Sequence, residues 1–330
     1  MPSMSDERAA RIIEFVRDFY LSVQAQGAET GFAGAVSGLR SLLHARHSEL
    51  AQSADWVWRT TEPTRSGATS LDIDLTSAPP LMHAVFAFLA NWAAIGNEAA
   101  PLTRFAYVGQ DQSMQNRVEL MREVVSSSFS RPIVALEIGT WFGQGSTRAW
   151  IETLPRGSTL ILLDSWRSYL SEADKSSADT AGHYRLMDHL PQAAMASTLR
   201  EVLKSEASNN GIEIAMIRGR AGSMLDLLKE DAFDFVYIDG SHYYADVKKD
   251  IACAKRLARR SFSIVCGDDL ETTDPALIKA ARTHIDRDYV TIDGVKFHPG
   301  VTLAVSESFS SVNMGAGFWW ALQRDGTWGV

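Results

Sequence analysis

From Ile133 to Asp286 the chain alternates short apolar runs with helical stretches, and this alternation limits the fold more than any other feature. Ile133–Ile138, Thr159–Leu163, Ile212–Ile217, Phe233–Ile238 and Phe262–Cys266 read as strands. Ser146–Ile151, His183–Ser205, Ser223–Lys229, Tyr244–Ala258 and Pro275–Asp286 read as the helices between them. Strands that are apolar along their whole length have no face to offer water. They belong in a parallel sheet covered by helices on both sides. The tail from Tyr289 to Val330 changes texture: Val301–Val305 and Phe318–Leu322 read as strands with glycine-rich turns between. The predicted class is α/β, a doubly wound, mostly parallel Rossmann-like sheet closed by an antiparallel C-terminal strand.

Residues 1–115 read differently. Ile12, Ile13, Phe15, Val16, Phe19 and Tyr20 recur at helical spacing, and Pro80–Ala94 is a second helical candidate, apolar on most faces. Thr61–Ser77, rich in Thr, Ser, Pro and Gly, reads as a loop. The expected organisation is a helical N-terminal region over 1–115 and an α/β domain over 116–330.

Charge and cysteine usage exclude several classes. The chain has 32 Lys and Arg against 40 Asp and Glu, a net charge of -8, and no basic block. That argues against nucleic acid and for a small-molecule or protein substrate. Cys253 and Cys266 sit in apolar stretches without a CxxC pair, which argues against a disulfide framework and a structural zinc site. The polar stretch Met1–Arg11 has no apolar signal core, and Pro80–Ile95 is too short and too polar to span a bilayer. The expected setting is cytoplasmic, without a membrane; a homo-oligomer is compatible with all of this.

In an open α/β sheet, ligands bind beyond the carboxyl ends of the strands. The first strand ends in Glu137-Ile-Gly-Thr-Trp-Phe-Gly-Gln-Gly145, followed by Ser146 and Thr147 at a helix start. Glycines let the backbone pass close to a ligand, and the helix start offers free N–H groups. The second strand ends in Asp164, where a carboxylate can accept both hydroxyls of a ribose. The spacing is G-x-x-x-G-x-G, not the dinucleotide fingerprint G-x-G-x-x-G.

The next two strands end in Asp239-Gly240-Ser241-His242 and Gly267-Asp268-Asp269. Neighbouring strands would bring Asp239, Asp268 and Asp269 around one small volume. Three crowded anions repel unless a cation or protons join them. An all-oxygen set suits a hard ion such as magnesium. His242, three residues past Asp239, is a candidate general base. The plainer alternative is that these side chains face water or cap the next helix.

The pattern E-I-G-x-x-x-G-x-S-T with a strand-ending Asp downstream resembles class I S-adenosylmethionine (SAM) methyltransferases. The stretch Asp234-Phe-Val-Tyr-Ile-Asp-Gly-Ser-His-Tyr-Tyr-Ala-Asp-Val-Lys-Lys-Asp250 resembles their metal-dependent O-methyltransferase group. That group includes catechol-type and macrocin-type sugar O-methyltransferases, with cephalosporin-hydroxylase-like relatives. The resemblance covers Ile133 to Asp269. It implies that Gly139, Gly143 and Ser146 line SAM, that Asp164 binds its ribose, and that Glu137 orients the loop or meets the ammonium group. It also implies that Trp166 flanks the adenine, with Arg220 and Ala221 at the adenine edge. Asp239, Asp268 and Asp269 would hold Mg2+ or another divalent cation, and His242 or Asp239 would deprotonate a small-molecule hydroxyl. The polar segment Ser165–Gly182 reads as a lid or a plain loop. A nicotinamide-dependent Rossmann oxidoreductase and a non-catalytic SAM-binding protein are the alternatives.

Overall fold

The computed structural model describes residues 58–60, 71–73, 103–104, 115–177 and 191–329. The chain divides into two compact units, one of residues 1–111 with 189–196 and one of residues 112–188 with 197–330. In the first, strands β1 (Trp58–Thr60), β2 (Leu71–Ile73) and β3 (Thr103–Arg104) form a small sheet in that order. The helices expected from Ile12 to Tyr20 and over Pro80–Ala94 lie outside the described residues. Thr61–Ser77 was expected to be all loop, but it carries β2. Leu71-Asp72-Ile73 has the apolar–polar–apolar alternation of a strand, too short to stand out in a polar stretch.

The α/β sheet and its helices follow. α1 (Gln115–Ser128) precedes β4 (Val134–Ile138), α2 (Ser146–Thr153) and β5 (Thr159–Asp164). Next come the one-turn α3 (Glu172–Lys175), α4 (Pro191–Ala207), β6 (Glu213–Arg218) and the one-turn α5 (Ala221–Met224). Then β7 (Phe235–Ile238), α6 (Tyr244–Leu257), β8 (Phe262–Gly267) and α7 (Pro275–Ala281) follow. The chain ends through a hairpin of β9 (Val290–Ile292) and β10 (Val295–Phe297), α8 (Pro299–Ser308), β11 (Asn313–Gly315), β12 (Phe318–Arg324) and β13 (Thr327–Gly329).

The sheet order is β11-β12-β8-β7-β4-β5-β6, with β13 paired to β12. The five strands from β8 to β6 are parallel, and β12 runs antiparallel to β8, as the Phe318–Leu322 run predicts. All four residues of β7 are buried, and so are the last four of β4. Both faces of these strands are therefore dry, which is why their sequence shows no alternation. α6 covers the sheet with Val247, Ile251, Ala254 and Leu257, a helical stripe, while Ala245, Asp246 and Lys249 stay exposed. From β4 the chain winds outward through β5 and β6, then returns to β7 on the other side. The switch point lies between β4 and β7, and the ligand crevice of such a sheet opens there.

Three expectations need correction. Val301–Val305 is not a strand but the middle of α8. Every residue from Pro299 to Val305 is buried, and an apolar run with no polar face has no period by which to tell helix from strand. Pro299 sits in the helix's first turn, where its missing N–H is tolerated. The helix expected over Ser223–Lys229 shrinks to α5 plus a 3-10 turn over Leu225–Leu227, and that over Pro275–Asp286 stops at Ala281. Of the helix expected from His183 to Ser205, residues 191–205 are helical and 183–190 lie outside the described residues. No helix among the described residues is long and apolar enough to cross a membrane.

Candidate active site at the carboxyl ends of the sheet

Strand register builds this site. Ile138 pairs with Leu163 on one side and with Ile238 on the other, and Ile238 pairs with Gly267. The next residue on each strand is therefore Asp164, Gly139, Asp239 and Asp268, in one row across four adjacent strands. Gly139 N–H donates to Leu163 O (2.9 Å), Asp239 N–H to Ile138 O (2.7 Å), and Asp268 N–H to Ile238 O (3.2 Å), which extends the ladder by one step. A pocket of about 280 Å³ opens over this row. Gly139, Trp141, Asp164, Tyr169, Arg220 and Asp239 are among the residues that line it.

Asp164 organises the glycine loop. Its Oδ2 accepts from the main-chain N–H groups of Thr140 and Trp141 (2.8 Å each), and its Oδ1 accepts from Trp166 N–H (2.6 Å). One lone pair of Oδ1 is left to face a ligand. Glu137 lies fully buried beneath the loop. Its Oε1 accepts from Ser146 Oγ (2.5 Å), while Oε2 meets no hydrogen-bond partner. Burial pushes its carboxyl up to about 8, against hydrogen bonds from Ser146 and Thr147.

The carboxylates do not act alike. Asp239, His242 and Asp269 each bring a ligand atom within 4.8 Å of the others. Asp268 is not one of that group: Arg117 Nη1 donates to its Oδ2 at 2.5 Å, and its Oδ1 accepts from Asp269 N–H (2.9 Å). Burial and the Asp269 charge raise the Asp268 carboxyl to about 6 even against Arg117. Asp239 is raised well above the carboxylate range by burial and by the charges of Asp269 and Asp268. Asp269 goes the other way. Burial pushes it up, but His298, His242 and Arg117 outweigh that and hold it low.

His242 is buried between two carboxylates. Its Nε2 is 3.0 Å from Asp269 Oδ2, and its Nδ1 is 2.9 Å from Asp288 Oδ1 and 2.7 Å from Tyr169 OH. Burial lowers its pKa, but Asp269 and Asp288 more than reverse this, and the ring titrates well above the ordinary histidine range. An imidazolium with both nitrogens facing carboxylates has no lone pair with which to take a proton.

Of the residues expected at the cofactor, Gly139, Asp164, Arg220 and Ala221 line the pocket, whereas Glu137, Gly143, Ser146 and Trp166 stand behind it. A side chain at Gly143 would meet Thr198 of α4, so that glycine serves helix packing. Trp166 is 1% exposed and its Nε1 donates to Trp141 O (3.0 Å), so it props the loop from below. The tryptophan that reaches the pocket is Trp141, at φ 46°. Sequence reasoning also missed Arg117, Tyr169, Asp288 and His298. Gly300 carried a signal for the last: a Cβ there would lie 2.2 Å from His242 O, a close approach that only glycine permits.

Residues 136–270 match the model of a family described as a methyltransferase domain. The matched segment runs from β4 through β8 and holds the glycine loop, the Asp-Gly-Ser-His turn and the Asp268-Asp269 pair. No curated protein matches the chain. Solved structures similar to it include an O-methyltransferase family protein from Burkholderia thailandensis, at 11% identity and a TM-score of 0.40 over 64% of this chain and 55% of that one. The O-methyltransferase TomG of Streptomyces achromogenes, solved with SAM, is 16% identical over 72% of this chain and 87% of its own, at a TM-score of 0.38. An O-methyltransferase from Bacillus cereus in complex with SAH is 15% identical over 73% of this chain and 90% of its own, at 0.37.

Proposed function

We propose that this chain is a SAM-dependent O-methyltransferase acting on a hydroxyl of a small molecule, a sugar or another natural product, with the help of a divalent cation, magnesium first. The observation that carries this reading is Asp239. It lines the glycine-loop pocket and also the small cleft that holds His242, Asp268 and Asp269. One side chain thus joins the place for a donor to the place for an acceptor.

The residues fit both groups. Glu137, buried beneath the glycine loop, is the carboxylate that would meet an ammonium; Asp164 Oδ1 suits a ribose hydroxyl; Arg220 and Ala221 lie where the resemblance puts the adenine edge. For the cation, Asp239 and Asp269 converge, whereas Asp268 is held by Arg117 and serves as a neighbour of the set. When bound, SAM supplies an electrophilic methyl group and magnesium lowers the pKa of the acceptor hydroxyl. Asp239, which borders both places, is positioned to take the hydroxyl proton. His242 orients Asp269 through Nε2, and with no metal on Nδ1 its protonated ring balances that charge. The segment from Ser165 is pinned beside the site. Ser171 N–H donates to Tyr243 OH (2.8 Å), which donates to Asp174 Oδ2 (2.7 Å), as a lid in its closed position would be. Residues 1–115 would shape the acceptor side or form an oligomer contact.

Calorimetry with SAM and NAD side by side tests the donor: SAM binds and NAD does not, and the reverse result sinks the reading. Release of S-adenosylhomocysteine with vicinal-diol sugars and catechols tests the reaction. Magnesium supports that release and EDTA abolishes it; turnover that persists in EDTA rejects the metal-dependent step.

Glu137 gives the donor site a pH signature. Between its ordinary value of 4.5 and about 8, the folded protein holds a proton that the unfolded chain has lost. The empty protein therefore loses stability as pH rises through that window. A cationic group at Oε2 displaces the proton, so SAM binding at about pH 7 releases protons to buffer and tightens as pH rises towards about 8. In Glu137→Gln both the release and the pH dependence shrink. Calorimetry in buffers of different ionisation enthalpy measures this, and an unchanged proton count in the variant assigns the release to another group.

A further inference from the structure

Beside the candidate active site, and outside the lining of its main pocket, lies a second group of metal-ligating side chains. His242, Asp288 and His298 each offer a ligand atom within 4.8 Å of the others, and all three are buried. They come from remote places: the turn after β7, the connection before β9, and the N-cap of α8.

Two atoms in this group are incomplete. Asp288 Oδ2 and His298 Nε2 are buried and meet no hydrogen-bond partner. Leaving a buried polar atom unpaired destabilises the fold unless something binds it. The far side of each ring is secured by a carboxylate. His298 Nδ1 is 2.6 Å from Glu271 Oε1, and His298 N–H donates to Glu271 Oε2 (3.1 Å). A carboxylate only accepts, so in the neutral ring Nδ1 carries the hydrogen and Nε2 keeps a bare lone pair. His242 has the same design, with Nε2 on Asp269 Oδ2 (3.0 Å) and Nδ1 facing Asp288 and Tyr169. An imidazole with one nitrogen on a carboxylate and the other left for a metal is how proteins fix a metal-ligating histidine.

We propose that His242 Nδ1, His298 Nε2 and the Asp288 carboxylate bind a divalent transition-metal ion, zinc by the chemistry of the donors, with the Tyr169 hydroxyl beside it. Two imidazoles and one carboxylate suit zinc, whereas the oxygen donors of Asp239 and Asp269 suit magnesium. The ion would cross-link three segments that frame the active site. Its ligands would be histidine and aspartate, and neither cysteine takes part. The proposal does not depend on the methyl-transfer reading.

The test uses the full-length protein, stripped with a chelator, loaded with zinc and dialysed, with metal counted by mass spectrometry. One zinc per chain stays bound in the wild type and in excess magnesium. Cobalt in its place gives the visible absorption of a low-coordinate imidazole site. Asp288→Asn and His298→Gln lose the ion, and Asp239→Asn keeps it. Circular dichroism checks that each variant is folded, and the wild-type count and cobalt spectrum stand even where a variant unfolds. Wild-type protein that retains no zinc overturns the proposal. So does full retention in both Asp288→Asn and His298→Gln, or a loss confined to Asp239→Asn, which would move the ion to the acceptor site.

Discussion

Asp239→Asn is expected to lower methyl transfer by a factor of about 10²–10⁴, the usual worth of a positioned general base, while leaving SAM binding within a few-fold of wild type. Asparagine has the same shape and can still accept the hydrogen bond from Tyr237 OH, which is 3.2 Å from Asp239 Oδ2. It can neither take a proton nor lend charge to a cation. The main contacts proposed for SAM lie elsewhere, at Glu137, the glycine loop and Asp164. The fold should not suffer. Asp239 is raised by burial and by Asp269 and Asp268, so removing its charge relieves repulsion among three crowded acids. The variant's thermal midpoint should equal or exceed the wild type's above neutral pH. Release of S-adenosylhomocysteine reads the first effect and calorimetry with S-adenosylhomocysteine reads the second. An Asp239→Asn protein that turns over at the wild-type rate would return the base role to His242.

That contrast between Asp239 and His242 marks where the sequence stops being readable. Asp164, Gly139, Asp239 and Asp268 could be placed at strand ends from apolar patterning alone, because parallel register carries a strand's end into one row. What each carboxylate does there depends on neighbours that no local pattern reveals. Arg117, on α1, reaches Asp268 across 151 residues and holds one of its oxygens. Asp288 lies 46 residues from His242 and, after Asp269, raises the pKa of its ring. Both come from segments without a motif, and the helix that carries His298 at its cap was itself misread as a strand. The opposite end of the sheet shows what a buried charge looks like when its role is only structural. Asp234 is 1% exposed, yet its two oxygens accept from Arg131, Arg259 and the main chain of Val134, with none left over. Glu137, Asp288 and His298 are just as buried and keep one polar atom unpaired. That difference is a property of the folded chain, and no local pattern in the sequence carries it.

Gly139→Ala should be the most damaging single substitution in the glycine loop. Gly139 sits at φ +86°, which a residue with a Cβ adopts at a cost of about 1 kcal/mol. The larger problem is space. A Cβ at this position would lie 1.8 Å from Asp239 O, 2.4 Å from its carbonyl carbon and 2.8 Å from Gly240 N. All three are main-chain atoms, so no rotamer change can relieve the overlap. Backbone movement is resisted by the same bonds that build the row, Gly139 N–H to Leu163 O and Asp239 N–H to Ile138 O. Relief therefore requires β4 and β7 to part at their carboxyl ends, where donor and acceptor sites meet. The expected loss exceeds about 4 kcal/mol of stability, the range reserved for overpacking against fixed structure, and SAM binding disappears with it. Gly294→Ala is the control. It has a similar φ of +78°, but nothing lies within 4 Å of the added methyl. It should cost only the conformational term of about 1 kcal/mol and leave SAM binding intact. Denaturant unfolding of both variants separates crowding from backbone strain. If the two lose the same stability, the close approach of Gly139 to Asp239 is not what the loop requires of that glycine.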